Sequence, residues 1–168
     1  MTAAVFLVFS FSLFLDLFLR SHGIASVLTP FCIFYYTAIL GWKNGLILSL
    51  ITAVPASVFT GIAYPFELMT YPAVAGLSLW NQYRCGHGTS EFTGHLICGA
   101  VIPILTYAPG ALAASHEARM LFLTWLLPLC TGSAILLPVF LFLLDLPAGK
   151  LALPLYTDAI RKRKRPLR

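Results

Sequence analysis

Long apolar runs separated by short polar stretches dominate the chain: Ala3 to Leu19, Ile24 to Trp42, Gly45 to Tyr64, Leu68 to Tyr83, Phe92 to about Ala113, and Met120 to Leu144. A helix needs about 20 apolar residues to cross a hydrocarbon core of about 30 Å, and helices suit lipid because they satisfy their own backbone hydrogen bonds. The pattern therefore predicts an all-α, polytopic transmembrane helix bundle of about six spans. Leu68 to Tyr83 is the weakest run, since its 16 residues rise only about 24 Å as a helix; the bundle has five spans if this run is re-entrant. The polar turn Lys43-Asn44 predicts a tight antiparallel hairpin between the second and third spans. The first run is longer than a signal-peptide core and has no Lys or Arg before it, which reads as a retained helix. No repeat or composition shift marks a second domain, so residues 1–150 read as one transmembrane domain and 151–168 as a basic cytoplasmic tail.

Composition narrows the function classes. Of the 168 residues 59% are hydrophobic and only 10% charged, with a mean hydropathy of +0.86, against about 25% charged in a soluble domain. A cytosolic enzyme and a nucleic-acid-binding module are excluded, and the spans leave no room for a catalytic domain; the expectation is a non-enzymatic protein without cofactor or metal. The net charge of +5 is local, because Arg161, Lys162, Arg163, Lys164, Arg165 and Arg168 all lie in the tail. Such a run attracts anionic lipid at about 1 kcal/mol per basic residue near the surface. It lacks the aromatics or folded groove that nucleic-acid binding needs. Basic residues stay cytoplasmic; with six spans both termini, Lys43 and Arg84 lie inside, and Arg20 and Arg119 outside. Cys32, Cys98 and Cys130 fall in apolar runs and Cys85 in a polar loop, which implies no disulfide framework.

Candidate interaction residues are sparse. On the third span Gly45, Ser49, Ala53, Ser57 and Gly61 recur every fourth residue, a spacing that places them on one helix face. Small residues there let another helix approach closely, either within the bundle or from a partner protein, and the neighbouring Thr52 and Thr60 hydroxyls can bond across helices or back to their own carbonyls. Pro55 interrupts the backbone ladder beside the stripe. The first span, bulky throughout, is expected to face lipid, with Asp16 and Arg20 forming an interfacial pair four residues apart. Glu67, His116, Glu117 and Arg119 are expected to be solvated in short outer loops. His87, Glu91 and His95, with Cys85 and Cys98 nearby, have a spacing that zinc ligands can use. Gly86 and Gly88, however, flank His87, and Thr89 or Ser90 is a natural N-cap that leaves Glu91 in the first turn. No acid lies mid-membrane, which argues against a proton-coupled transporter.

Two stretches carry a family likeness. Thr29-Pro30-Phe31-Cys32-Ile33-Phe34-Tyr35-Tyr36, followed by Gly41 and Gly45-Leu46-Ile47, and the proline-containing Leu137-Pro138-Val139-Phe140-Leu141-Phe142-Leu143-Leu144 before a basic end, resemble the rod-shape-determining MreD family of bacterial cell-wall elongation. The resemblance covers roughly half the chain; Ala53 stands where many members carry Asp. It implies a multi-pass scaffold of the bacterial inner membrane that holds an MreC-like single-span partner within the peptidoglycan-synthesis complex and helps set cell shape. A second class is the substrate-binding component of an energy-coupling-factor vitamin transporter, with Glu67, Tyr71, His116, Arg119 and Trp125 lining an outer pocket. Those components carry small residues on a first helix that is bulky here. An intramembrane enzyme built on Glu91 and His95 ranks third.

Overall fold

The computed structural model describes residues 2–60, 66–86, 90–113, 115–150 and 155–164. Among these the chain is all helical: α1 (Thr2–Ser21), α2 (Leu28–Leu40), α3 (Trp42–Thr60), α4 (Glu67–Gly86), α5 (Glu91–Ala113), α6 (His116–Lys150) and α7 (Tyr156–Lys164). Glu91–Leu112 and Phe122–Lys150 are each long and apolar enough to cross a membrane.

Backbone geometry, which hydropathy does not encode, sets two of the boundaries. A Schellman turn ends α1, with Ile24 N–H donating to Leu19 O at 3.0 Å and Gly23 N–H to Arg20 O at 2.9 Å. Gly23 takes φ 75°, a left-handed conformation that costs glycine no Cβ clash. Between α2 and α3 the break is Gly41 alone, at φ 82°. Its N–H closes α2 on Thr37 O at 3.1 Å, and its carbonyl receives Gly45 N–H at 2.9 Å to open α3. The expected turn at Lys43-Asn44 is instead the first turn of α3.

The short helix is also not the expected one. α4 has 20 residues and spans about 30 Å, whereas α2 has 13 and spans only about 20 Å. The reason is position. α2 packs against every other helix among the described residues, and Thr29 to Ala38 are all buried. A helix enclosed by other helices has no need to match the thickness of a bilayer. Around it lie Tyr71, Val74 and Ala75 of α4, Cys98 and Ile102 of α5, and Leu137 of α6, all fully buried. Phe31 and Phe140 meet at a ring-centroid distance of 5.6 Å.

α5 and α6 form the most intimate pair. A Cβ at Gly99 would fall 2.6 Å from the Ser133 carbonyl oxygen and 2.7 Å from Ala134 Cα, so the two backbones touch as membrane helices do at small residues. The outer surface is apolar on every large helix: Leu7, Phe11, Phe14 and Phe18 on α1, Ile51 and Val58 on α3, Met69 on α4, Leu112 on α5, and Trp125, Leu127, Ile135 and Phe142 on α6 are each more than half exposed. Buried positions meanwhile include Ser12, Asp16, Thr29, Thr37, Ser49, Glu67, Thr70, Ser78, Asn81 and Gln82. Large apolar side chains thus lie on the outside as well as in the core, and the exposed ones form a contiguous surface of the kind that marks a membrane or protein contact.

Candidate functional site

The small-residue stripe of α3 turns inward. Gly45, Ser49 and Ala53 are buried, and a Cβ on Gly45 would come within 2.6 Å of the Thr37 side chain, so the first residue of the stripe lies against α2. Ser57 is half-buried at its far end; Gly61 lies outside the described residues. The hydroxyls bond back to their own helix: Ser49 Oγ donates to Leu46 O at 2.8 Å, Thr52 Oγ1 to Leu48 O at 2.9 Å and Ser57 Oγ to Val54 O at 2.9 Å. The stripe thus supplies close backbone approach, while the cross-helix hydrogen bonds come from elsewhere. One of them is Ser78 Oγ donating to Phe34 O at 2.7 Å.

At one end of the bundle a buried ionic cluster joins α1, α4 and α5. The expectation that α1 only faces lipid is corrected by its two sides: Leu7, Phe11, Phe14 and Phe18 point out, whereas Phe9, Ser12 and Asp16 are buried. Arg20 Nη2 pairs with Asp16 Oδ2 at 3.2 Å and Arg20 Nη1 lies 3.7 Å from Glu67 Oε1, with side-chain exposures of 16%, 1% and 8% for Arg20, Asp16 and Glu67. The predicted pair therefore forms, but inside the protein, and Glu67 is buried rather than solvated because α4 brings it onto the same guanidinium. The guanidinium also lies over the Tyr107 ring, 5.4 Å from its centroid. Tyr107 fastens α5 to the α1–α2 connection by donating its hydroxyl to Ser26 O at 2.6 Å and accepting Ser26 N–H at 2.7 Å. Tyr71 is fully buried beside Arg20, Asp16 and Glu67. Ser26, Thr29 and the Leu28 backbone face the Asp16 carboxylate, at the start of α2. Of the other outer residues, His116 and Trp125 are exposed, and Arg119 Nη2 donates to Leu112 O at 3.1 Å.

The opposite end is built on Tyr156, which the sequence reading left in the tail. Asp145 does not end α6, which continues to Lys150. Its carboxylate instead accepts Tyr156 N–H at 3.0 Å and Thr157 N–H at 3.2 Å, the free donors at the start of α7, and the Tyr35 hydroxyl at 2.8 Å. An acid at a helix N-terminus is favoured by the helix dipole as well as by these bonds. Tyr156 and Ile160, four residues apart, are buried. The Tyr156 ring stacks on Tyr35 at 5.9 Å and lies 5.4 Å from His95. Burial pushes the Tyr156 phenol well above its ordinary pKa, so it stays protonated. Asn81 Nδ2 donates to the phenolic oxygen at 3.3 Å, and the phenol and His95 Nε2 share a hydrogen bond at 2.9 Å whose direction follows the His95 tautomer.

This arrangement redirects the presumed zinc-ligand spacing. His95 faces Tyr156, Cys85 is buried in α4 rather than in a loop with its thiol toward Asn81 Oδ1 at 3.8 Å, and Glu91 opens α5. His87 lies outside the described residues. Among the described residues no group of three or more His, Cys, Asp or Glu side chains is placed to hold a metal ion. Of the basic tail, residues 161–164 continue α7, and Arg165 and Arg168 fall outside the described residues. The one signal for the docked helix was Tyr156 and Ile160 at helical spacing in an otherwise polar segment. Comparison of the chain with protein-family profiles, curated proteins and solved structures finds no match.

Proposed function

We propose that the chain is a six-span, non-enzymatic scaffold of the bacterial inner membrane, of the MreD kind, which holds an MreC-like single-span protein in the cell-wall elongation complex. The observation that carries this reading is the apolar surface: large apolar side chains are exposed on α1, α3, α4, α5 and α6, while a set of polar side chains is buried beside the apolar core. Such a surface suits lipid and partner helices around the whole bundle rather than around α5 and α6 alone. Of the stretches that carry the family resemblance, α2 is at the centre, and the Leu137 to Leu144 part of α6 packs on it through Phe140 against Phe31 while Phe142 and Leu143 face outward. Both termini are cytoplasmic in this reading, the Arg20 end faces outward, and Arg161, Lys162, Arg163, Lys164, Arg165 and Arg168 contact anionic lipid.

Since Gly45, Ser49 and Ala53 are buried within the chain, the partner contact in this reading falls to the half-buried Ser57 at the end of the stripe. The experiment is affinity purification of the tagged chain from membranes. Recovery of a single-span coiled-coil protein, reduced several-fold by Ser57→Leu in a chain that still folds, is the expected result; unchanged recovery removes the Ser57 face. The transporter alternative draws on the Arg20 end, where Glu67 and Tyr71 come together in the interior. An ATPase pair or a bound vitamin in the same purification establishes that class instead.

A further inference from the structure

The helix that Tyr156 docks also carries the start of the basic run. α7 has nine residues, too few to hold a helix by themselves in water. Arg161, Lys162, Arg163 and Lys164 form its last turn, and Arg165 follows. Five consecutive like charges repel one another and favour an unfolded segment; Asp158 lies four residues before Lys162 and offsets part of that repulsion. The dock therefore supplies the rest of the order. Tyr156 and Ile160 are buried, the Asp145 carboxylate takes the first two N–H groups of the helix, and Asn81 and His95 hold the phenol. Asn81 lies five residues before the end of α4 and His95 four residues after the start of α5, so the dock is about 6–8 Å inside that end of the bundle. Trp80 and Tyr83, on the turn of α4 that holds Asn81, are exposed, as aromatic side chains are at a membrane–water interface. Since α7 is only about 13 Å long, its charged turn stays close to that interface while Tyr156 is docked.

We propose that α7 is a latch that responds to the charge of the membrane surface. An anionic lipid headgroup layer relieves the repulsion within the basic turn, so α7 stays folded and Tyr156 and Ile160 stay docked. Beside a neutral surface the repulsion is unrelieved and α7 undocks more often. By linkage, each event strengthens the other by the same factor: an opened dock leaves the cations on an unfolded tether with a weaker hold on the lipid. The latch depends on the contact between the basic tail and anionic lipid proposed above, and couples that contact to the fold through Tyr156.

The test uses the full chain in nanodiscs of phosphatidylcholine, with and without phosphatidylglycerol, whose headgroup carries a net negative charge. Chymotrypsin cleavage after Tyr156 requires the ring to leave its site, and its rate is followed by the mass of the released tail; a fluorophore at Arg168→Cys reports approach of the tail to the lipid. Phosphatidylglycerol should slow cleavage about three- to ten-fold. Arg161→Gln, Lys162→Gln, Arg163→Gln and Lys164→Gln combined should remove that dependence and slow cleavage in phosphatidylcholine alone, because the repulsion is gone. Asp145→Asn should speed cleavage in both lipids, and supplies the background for the comparison if the parent is cut in neither. Equal rates in the two lipids, with the fluorophore at the phosphatidylglycerol surface, would overturn the latch and leave the lipid contact standing. Faster cleavage with phosphatidylglycerol would also overturn it, since the surface would then pull α7 away from its dock. A fluorophore that stays away from the phosphatidylglycerol surface would remove the lipid contact and the latch together.

Discussion

The two ends of the bundle use the same ingredients differently. At each, an aspartate lies near the start of a helix and a buried tyrosine bridges elements distant in sequence. Asp145 closes on two backbone N–H groups and a phenol, and Tyr156 is bonded to both Asn81 and His95. Asp16 faces Ser26, Thr29 and the Leu28 backbone at the start of α2 and pairs with Arg20, and among the described residues its Oδ1 and the Tyr71 hydroxyl have no hydrogen-bond partner. A closed polar network fixes one arrangement and rigidifies it, whereas a partly satisfied one contributes less. The Tyr156 end is accordingly a lock that holds α7 on the bundle, and the Arg20 end is an ion cluster that ties α1 to α4.

Substitutions break this contrast in a definite order. Tyr156→Ala removes a fully buried ring and should cost about 3–5 kcal/mol, releasing α7 so that protease cuts the tail of the detergent-solubilised protein at a concentration that leaves the parent intact. Next come the paired aspartates. Asp145→Asn weakens charge-assisted bonds to the α7 backbone and should cost about 1–2 kcal/mol in thermal unfolding, while Asp16→Asn leaves Arg20 the Glu67 carboxylate and should cost less than that. Equal losses at the two positions would erase the distinction. The smallest effects separate the tyrosines: Tyr156→Phe strands Asn81 and His95 at about 1–2 kcal/mol, whereas Tyr71→Phe should change stability by less than about 0.5 kcal/mol. Gly99 sharpens the picture from a neutral position, since Gly99→Val drives a side chain into the Ser133 and Ala134 backbone and should lower the unfolding midpoint.

The sequence carried the helices more clearly than it carried their places. Each apolar run corresponds to a helix from α1 to α6, because helical backbone in a run of that length needs only local hydrogen bonds. The centrality of α2 was not legible: lipid and protein interior are equally apolar, so a helix buried on all sides reads the same as one in the bilayer. Gly41 was visible as a glycine, but its positive φ was not, and the hairpin was placed at the neighbouring polar pair instead. Asp16 and Arg20 were legible as a pair by spacing. Their burial depended on Glu67 and Tyr107, which only the fold brings near. In the tail the run of basic residues drew attention to charge, while the residues that dock α7 are the two apolar ones before it.

The central claim is that the two polar ends lie on opposite sides of one membrane. It is tested most directly by labelling single cysteines at His22 and Lys43, both exposed, with a membrane-impermeant maleimide on intact spheroplasts and again after permeabilisation. His22→Cys should react in intact spheroplasts and Lys43→Cys only after permeabilisation. The reverse pattern would contradict the orientation, and labelling of both from the same side would show that α5 and α6 alone do the crossing.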